Sequence, residues 1–239
     1  MRRPFAAFDI DGTVIRWQLY HAIADELARN GLIDTQAYKT VRAARLAWKN
    51  RVRPNAFSDY EKKLVRVVDE AVTGLTTQDI QQACEAVIRR YKDQVYTYTR
   101  DLIRELKAKN YTLFAISASQ IEIVEPIASY YGFDDFGGSE FEYKNGHFTG
   151  KKHTLVSGYK PEFLKTLADK HNVTWQNSIA VGDSEGDIPM LSIVEQPIAF
   201  NPTRLLYDHA KQHNWRIVVE RKNVIYKLDP GTDGYELES

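Results

Sequence analysis

Short apolar runs recur along the chain, and each of them ends in polar or small residues. Apolar runs of this length are typical of strands that are buried on both faces, as in a parallel sheet. They lie at residues 5–10, 111–117, 178–183, 196–200 and 215–219.

Helical patterns lie between the later apolar runs. Residues 99–110 begin with Thr99, which is placed to cap a helix, and residues 160–172 carry a proline in their first turn. Strands that alternate with helices predict an α/β fold with a doubly wound, Rossmann-like and mostly parallel sheet.

The interval from residue 16 to residue 95 breaks this alternation. It reads as one helical pattern after another, with no convincing strand. We therefore predict an all-helical domain at residues 16–95, inserted into an α/β core domain formed by residues 1–15 and 96–239. An Asn-Gly pair at residues 145–146 predicts a small β-hairpin.

The composition is that of an ordinary globular protein and gives no sign of a nucleic-acid or membrane partner. Of the 239 residues, 43% are apolar and 27% are charged, and the formal net charge is zero. No apolar stretch approaches the roughly 20 residues of a membrane span. The N-terminal residues reach a strand too soon for a signal peptide, so we expect a cytoplasmic protein.

Polar residues follow three of the predicted strands. Asp9 and Asp11 end the first apolar run, Ser117 ends the second, and Asp183 ends the third, with Asp187 four residues later. The carboxyl ends of parallel strands meet at one edge of the sheet, near the point where the strand order reverses. We therefore expect these side chains to share one site.

Three of these carboxylates, those of Asp9, Asp183 and Asp187, would repel one another in such a site. Two like charges ~4 Å apart repel by about 4 kcal/mol at an effective dielectric constant of 20. A divalent cation would relieve this repulsion. Oxygen ligands without cysteine or clustered histidine favour Mg²⁺, which commonly binds together with phosphate.

A lysine at this site would help to neutralise an incoming phosphate dianion. Lys160 begins a predicted helix and is the best-placed candidate, with Lys151 and Lys152 as the nearby competitors. The hydroxyl of Ser117 would add a donor to phosphate oxygens. Of two carboxylates in different environments, one can attack phosphorus while the other donates a proton.

Four motifs in this order resemble those of the haloacid dehalogenase-like superfamily of Mg²⁺-dependent phosphohydrolases. "FDIDGT" resembles the first motif, DxDGT, and "ISAS" the second, a strand that ends in serine. Lys160 matches the third, a lysine that opens a helix, and "GDSEGDIPML" the fourth, GDxxxD before an apolar pair. The helical insert resembles the cap of the branch that contains phosphoserine phosphatase.

The resemblance implies a role for each residue of these motifs. Asp9 would be the nucleophile that forms an aspartyl-phosphate, and Asp11 the general acid and later the general base. Asp9, the backbone carbonyl of Asp11 and Asp183 would hold Mg²⁺, with Asp187 in support. Ser117 and Lys160 would bind the phosphoryl group.

The substrate is where the sequence departs from the phosphoserine phosphatase pattern. That branch carries a glutamate nine residues after the nucleophile, facing the substrate amine, and Gln18 occupies this position. Its cap arginine, which binds the substrate carboxylate, corresponds to a position near Val68, with Arg66 two residues away. Because Gln18 gives an ammonium group no charge partner, we do not expect phosphoserine to be the substrate.

Two other functions share these features. A phosphotransferase or phosphomutase would use the same aspartyl-phosphate but pass the phosphoryl group to a second alcohol. A binding protein would keep the fold without the reaction. The leading prediction is a Mg²⁺-dependent phosphatase that acts on a small phosphorylated metabolite.

Overall fold

The structure is a computed structural model that describes residues 2–53, 56–231 and 234–238. Its strands are β1 Pro4–Phe8, β2 Thr112–Gln120, β3 Asp135–Lys144, β4 His147–Thr154, β5 Thr174–Gly182, β6 Gln196–Phe200, β7 Arg216–Arg221, β8 Val224–Gly231 and β9 Gly234–Leu237. Its α-helices are α1 Leu19–Arg29, α2 Thr35–Lys49, α3 Ala56–Val72, α4 Thr77–Tyr91, α5 Thr97–Ala108, α6 Ile121–Tyr131, α7 Lys160–Lys170, α8 Ile188–Leu191 and α9 Arg204–Gln212. A single 3₁₀ turn, Glu185–Asp187, precedes α8.

The sheet places β1 at the point where the strand order reverses. From β3 the order runs β3-β2-β1-β5-β6-β7, and these neighbours pair in parallel. The strands β8 and β9 continue the sheet beyond β7 in antiparallel pairing. The predicted α/β class with a doubly wound, mostly parallel sheet is confirmed.

Burial on both faces explains why β1 is apolar without interruption. Its residues from Phe5 to Phe8 are fully buried, and the strand pairs with β2 on one side and β5 on the other. Removing this apolar surface from water favours the central position of the strand. The carboxyl end of β1 therefore lies between two parallel neighbours.

The residues form two compact units. The core unit comprises Met1–Gln18, Tyr91–Ser139 and Leu155–Ser239, and the helical unit comprises Leu19–Arg90 and Glu140–Thr154. The predicted domain at residues 16–95 does not include the second segment of the helical unit. That segment is the predicted hairpin, which turns at Asn145 and Gly146, both with positive φ.

Backbone hydrogen bonds join this hairpin to the helices of its own unit. Gly74 N donates to Phe148 O and Phe148 N donates to Leu75 O, each over 2.9 Å. Lys152 Nζ lies 3.0 Å from Asp69 Oδ2 on α3. The hairpin is thus an integral part of the helical unit.

The cap of α5 differs from the prediction. The helix begins at Thr97, so Thr99 lies inside it, and the Thr99 hydroxyl donates to Thr13 O over 2.9 Å. Glu220 of β7 accepts from Thr97 N at 3.1 Å and from Tyr98 N at 2.8 Å. The predicted threonine cap was wrong because a carboxylate from a distant strand fills that place.

Candidate active site

A tight turn after β1 sets the direction of the Asp11 side chain. Ile10 O accepts from Thr13 N at 3.3 Å, Val14 N at 3.0 Å and Ile15 N at 2.9 Å. Gly12 lies within the turn with φ of +85°, a conformation that favours glycine. The turn therefore separates Asp11 from the straight path of the strand that carries Asp9.

Lys160 lies between two carboxylates inside the core unit. Its Nζ is 2.6 Å from Asp9 Oδ1 and 2.6 Å from Asp187 Oδ1, and its side chain is 7% exposed. Burial alone would lower the pKa of Lys160, but the charges of Asp187 and Asp9 raise it above its usual value. The lysine is therefore held as a cation beside Asp9.

The competing lysines lie elsewhere. Lys151 and Lys152 are part of β4 in the helical unit, where Lys152 pairs with Asp69. Among the three candidates, Lys160 is the one that the structure places on Asp9.

Asp187 is fully buried, and hydrogen bonds occupy both of its oxygens. Oδ1 binds Lys160, while Oδ2 accepts from Asp183 N at 3.1 Å, Ser184 N at 3.0 Å and Ser184 Oγ at 3.1 Å. A Cβ on Gly182 would lie 2.4 Å from Asp187 Cβ, so only glycine leaves room for this side chain. Asp187 can thus orient the loop that carries Asp183.

Asp9 and Asp183 keep oxygens that these contacts do not use. Within the described part of the chain, Asp9 Oδ2 is buried without a hydrogen-bond partner. Burial, together with the charges of Asp187 and Asp11, raises the pKa of Asp9 to about 7 against the opposing effect of Lys160. Burial and the charge of Asp9 also raise the pKa of Asp183 well above its usual value.

The donor set fits a hard divalent cation. One carboxylate oxygen from each of Asp9, Asp183 and Asp187 lies within 4.8 Å of the others, and the group contains neither cysteine nor histidine. Asp187 already has its hydrogen bonds, so Asp9 and Asp183 are the carboxylates that would hold the ion. Burial and, after it, the neighbouring carboxylates raise the pKa of Asp9 and of Asp183, and a bound cation would oppose both effects.

Two serine hydroxyls bind the carboxylate of Asp11. Ser117 Oγ donates to Asp11 Oδ2 over 2.6 Å, and Ser119 Oγ donates to the same oxygen over 2.8 Å. Ser119 was not among the predicted site residues. It lies two residues after Ser117 on β2, and residues at this spacing share one face of a strand.

The two candidate specificity residues lie in different units. A Cβ on Gly12 would lie 3.3 Å from Gln18 Nε2, so the Gln18 amide is beside the turn that carries Asp11. Arg66 belongs to the helical unit, where its Nε donates to Glu70 Oε1 over 2.9 Å, and its side chain is 80% exposed.

Within the described ranges, every helix is too short or too polar to pass through a membrane. This finding places no restriction on other kinds of partner.

A family model described as "haloacid dehalogenase-like hydrolase" matches residues 6–192. The match includes the last three residues of β1, the whole helical unit and the loop that carries Asp183 and Asp187.

Curated relatives are similar over most of this chain. An "inhibition of morphological differentiation protein" of Streptomyces azureus is 26% identical over 90% of this chain and 78% of its own length. A phosphoserine phosphatase of Archaeoglobus fulgidus is 27% identical over 85% of this chain but only 54% of its own length. A histidinol-phosphatase of Neisseria meningitidis is 22% identical over 90% of this chain and 98% of its own length.

A solved structure of phosphoserine phosphatase, titled as a phospho-aspartyl intermediate analogue, has the same fold. It superposes with a TM-score of 0.65 and 20% identity, over 93% of this chain and 95% of the other. At this identity the likeness shows the fold alone.

Proposed function

The chain belongs to the haloacid dehalogenase-like hydrolase family and is a phosphatase of the phosphoserine phosphatase-like type, and we propose that it hydrolyses a small phosphomonoester through an aspartyl-phosphate on Asp9. One observation carries the proposal. Lys160 holds one oxygen of the buried Asp9 carboxylate, and the other oxygen is without a partner among the described residues. A carboxylate held in this way is oriented for attack on phosphorus.

The first step transfers the phosphoryl group to Asp9. Asp9 Oδ2 forms a bond to phosphorus, the ester P–O bond breaks, and the proton of Asp11 passes to the leaving oxygen. Ser117 and Lys160 would bind the phosphoryl oxygens. Mg²⁺, held by Asp9, Asp183 and the backbone carbonyl of Asp11, would supply positive charge that lets the carboxylate and the phosphate dianion approach.

The second step releases phosphate. Asp11, now a carboxylate, takes a proton from water as the water oxygen bonds to phosphorus. The bond between phosphorus and Asp9 breaks, which restores the Asp9 carboxylate, and Asp11 keeps the proton that it took from water. Protons and electrons therefore balance over one turnover without a further reactant.

The substrate in this proposal is a small phosphorylated metabolite other than phosphoserine. Gln18 places a neutral amide beside the Asp11 turn, and a neutral amide gives an ammonium group no charge partner. Among the relatives, one is named for phosphoserine and another for histidinol phosphate, so relatives of similar identity differ in the substrate for which they are named.

A panel of phosphorylated metabolites, assayed for phosphate release with and without Mg²⁺, tests the function. We expect turnover that requires Mg²⁺ and a loss of about three orders of magnitude or more in the isosteric Asp9→Asn variant. Circular dichroism would show that this variant keeps its fold. An active Asp9→Asn variant would overturn the nucleophile.

The same panel separates the other functions. Consumption of the ester only after a second alcohol is added, with the phosphoryl group recovered on that alcohol and not as inorganic phosphate, would identify a phosphotransferase. Binding of phosphate esters without turnover of any of them would identify a binding protein.

A further inference from the structure

The two hydroxyls on Asp11 cannot have the same part in catalysis. A serine hydroxyl has one hydrogen and therefore donates one hydrogen bond at a time. Ser117 donates its hydrogen to Asp11 Oδ2, and its oxygen accepts from Ser119 N at 3.0 Å. When Ser117 turns its hydrogen to a phosphoryl oxygen, as the proposed function requires, it releases Asp11.

We propose that Ser119 is a positioning residue that holds Asp11 for proton transfer while Ser117 binds the phosphoryl group. This inference rests on the proposed function. The Ser119 hydroxyl reaches Asp11 Oδ2 over 2.8 Å, and the residue is 3% exposed, which keeps water from replacing it. Ser119 thus keeps its hydrogen bond to Asp11 after Ser117 has given up its own.

The arrangement also assigns the proton of Asp11 to one oxygen. The Ser119 hydroxyl still donates to Oδ2 after Ser117 has turned away, and in a carboxylic acid the carbonyl oxygen is the better acceptor. The proton given to the leaving oxygen is therefore carried by Oδ1. Without Ser119, the hydrogen bond that marks Oδ2 as the accepting oxygen in this state is lost.

Loss of the Ser119 hydroxyl should slow the cleavage of an ester more strongly when its leaving group needs a proton. An alkyl phosphate leaves as a poor alkoxide unless it is protonated, whereas p-nitrophenolate leaves without protonation. The dephosphorylation step is the same for both esters. The rate of the first turnover, measured by rapid quench under saturating Mg²⁺, therefore isolates the step in which Asp11 acts as an acid.

For Ser119→Ala, we expect the first-turnover rate to fall about 10- to 100-fold on an alkyl phosphate. On p-nitrophenyl phosphate it should change less than about threefold. Ser117→Ala should instead weaken the binding of both esters alike. An equal fall on both esters in Ser119→Ala, or no fall on either, would overturn the inference.

Ser139→Ala is a matched control. Ser139 is another buried serine, but its hydroxyl donates to Ala118 O over 2.9 Å and accepts from Val156 N at 3.3 Å, so its hydrogen is directed away from Asp11. This variant should lose stability without changing the ratio of the two first-turnover rates. A similar change of ratio in Ser139→Ala would show a structural effect and overturn the assignment.

Ser119→Thr keeps a hydroxyl on the same carbon atom and provides a second variant. It should retain the wild-type ratio of the two rates, and a ratio that falls as in Ser119→Ala would contradict the inference. A wild-type protein that hydrolyses neither these esters nor any of the panel would refute the proposed function itself, which is a different result.

Discussion

Gly12 satisfies two structural requirements of the candidate active site, one of backbone conformation and one of space. Its φ of +85° is a backbone conformation that residues with a Cβ rarely adopt. A Cβ at this position would also lie 2.2 Å from Asp183 Oδ2. Glycine at position 12 thus permits the turn that directs Asp11. It also leaves room for the Asp183 carboxylate, which would hold Mg²⁺.

We expect Gly12→Ala to lower kcat about 100-fold or more, because displacement of a catalytic group by about 1 Å has such an effect. Gly31→Ala is the matched control, since Gly31 has φ of +75° and no atom within 4 Å of its Cβ position. It should lose about 1 kcal/mol of stability and keep its kcat. Steady-state kinetics and urea unfolding measure the two effects, and a Gly12→Ala variant with the kcat of Gly31→Ala would contradict the expectation.

At the scale of single residues, the sequence indicated most of this cluster but not its hydrogen bonds. The strand-end positions of Asp9 and Asp183 and the helix-start position of Lys160 follow from local pattern. Ser119 was missed although it stands in the quoted "ISAS", because a strand that continues past Ser117 was not foreseen. Its spacing of two residues from Ser117 was the available signal.

Among the elements, α5 depends on a residue of β7 for its first turn. The Glu220 side chain is 1% exposed, accepts two N–H groups of that turn and forms an ion pair with Arg16. Arg16 belongs to a segment that pairs with the chain just before α5, since Arg16 N donates to Gln94 O over 2.7 Å. One carboxylate thus joins the start of a helix, a strand and the segment that follows the Asp11 turn.

We expect Glu220→Ala to destabilise the protein by about 2–4 kcal/mol, because it removes the acceptor of the buried Tyr98 N–H and the part-buried Thr97 N–H and the carboxylate partner of Arg16. Asp34→Ala is the control, since Asp34 is an exposed cap that accepts from Ala37 N on α2 at 2.7 Å. That change should cost about 1 kcal/mol. Urea unfolding followed by circular dichroism compares them, and equal losses would show that the burial of Glu220 contributes nothing.

The sequence did not predict the elements that depend on contacts with distant parts of the chain. The start of β3 carries Gly137 and Gly138, which are unfavourable in strands, but a Cβ there would lie 3.0 Å from Phe163 and 2.9 Å from Ile121. Close packing therefore outweighs propensity in β3. The strand β8 was missed because its residues are exposed or only half-buried, which leaves no apolar pattern.

For the whole molecule, charge in the core unit links stability to pH and, through the proposed metal site, to Mg²⁺. The pKa of Asp9, about 7, is above its usual value of 3.8, so the metal-free folded protein binds a proton more tightly than the unfolded chain. That contribution to stability is full below about pH 4 and is lost as the pH rises through about 7. A bound cation requires the carboxylate and reverses the dependence.

We expect Mg²⁺ at about 100 times its Kd to raise Tm by roughly 5–10 °C, with a larger rise at about pH 8 than at about pH 6. Asp183→Asn should remove the shift, whereas Asp169→Asn, a change at an exposed position of α7, should retain it. Thermal unfolding with and without EDTA provides the measurement. A Tm that Mg²⁺ leaves unchanged in the wild-type protein at both pH values would contradict the metal site.

The hairpin Glu140–Thr154 makes the helical unit an insertion in two parts, separated by 49 residues of the core unit. Two separate segments of the gene therefore encode this unit. A chimera that exchanges residues 19–90 with a relative replaces the helices but leaves behind the strand whose Phe148 bonds to Gly74 and Leu75. A complete exchange of the helical unit requires both segments to move together, so substitutions in one segment constrain those tolerated in the other.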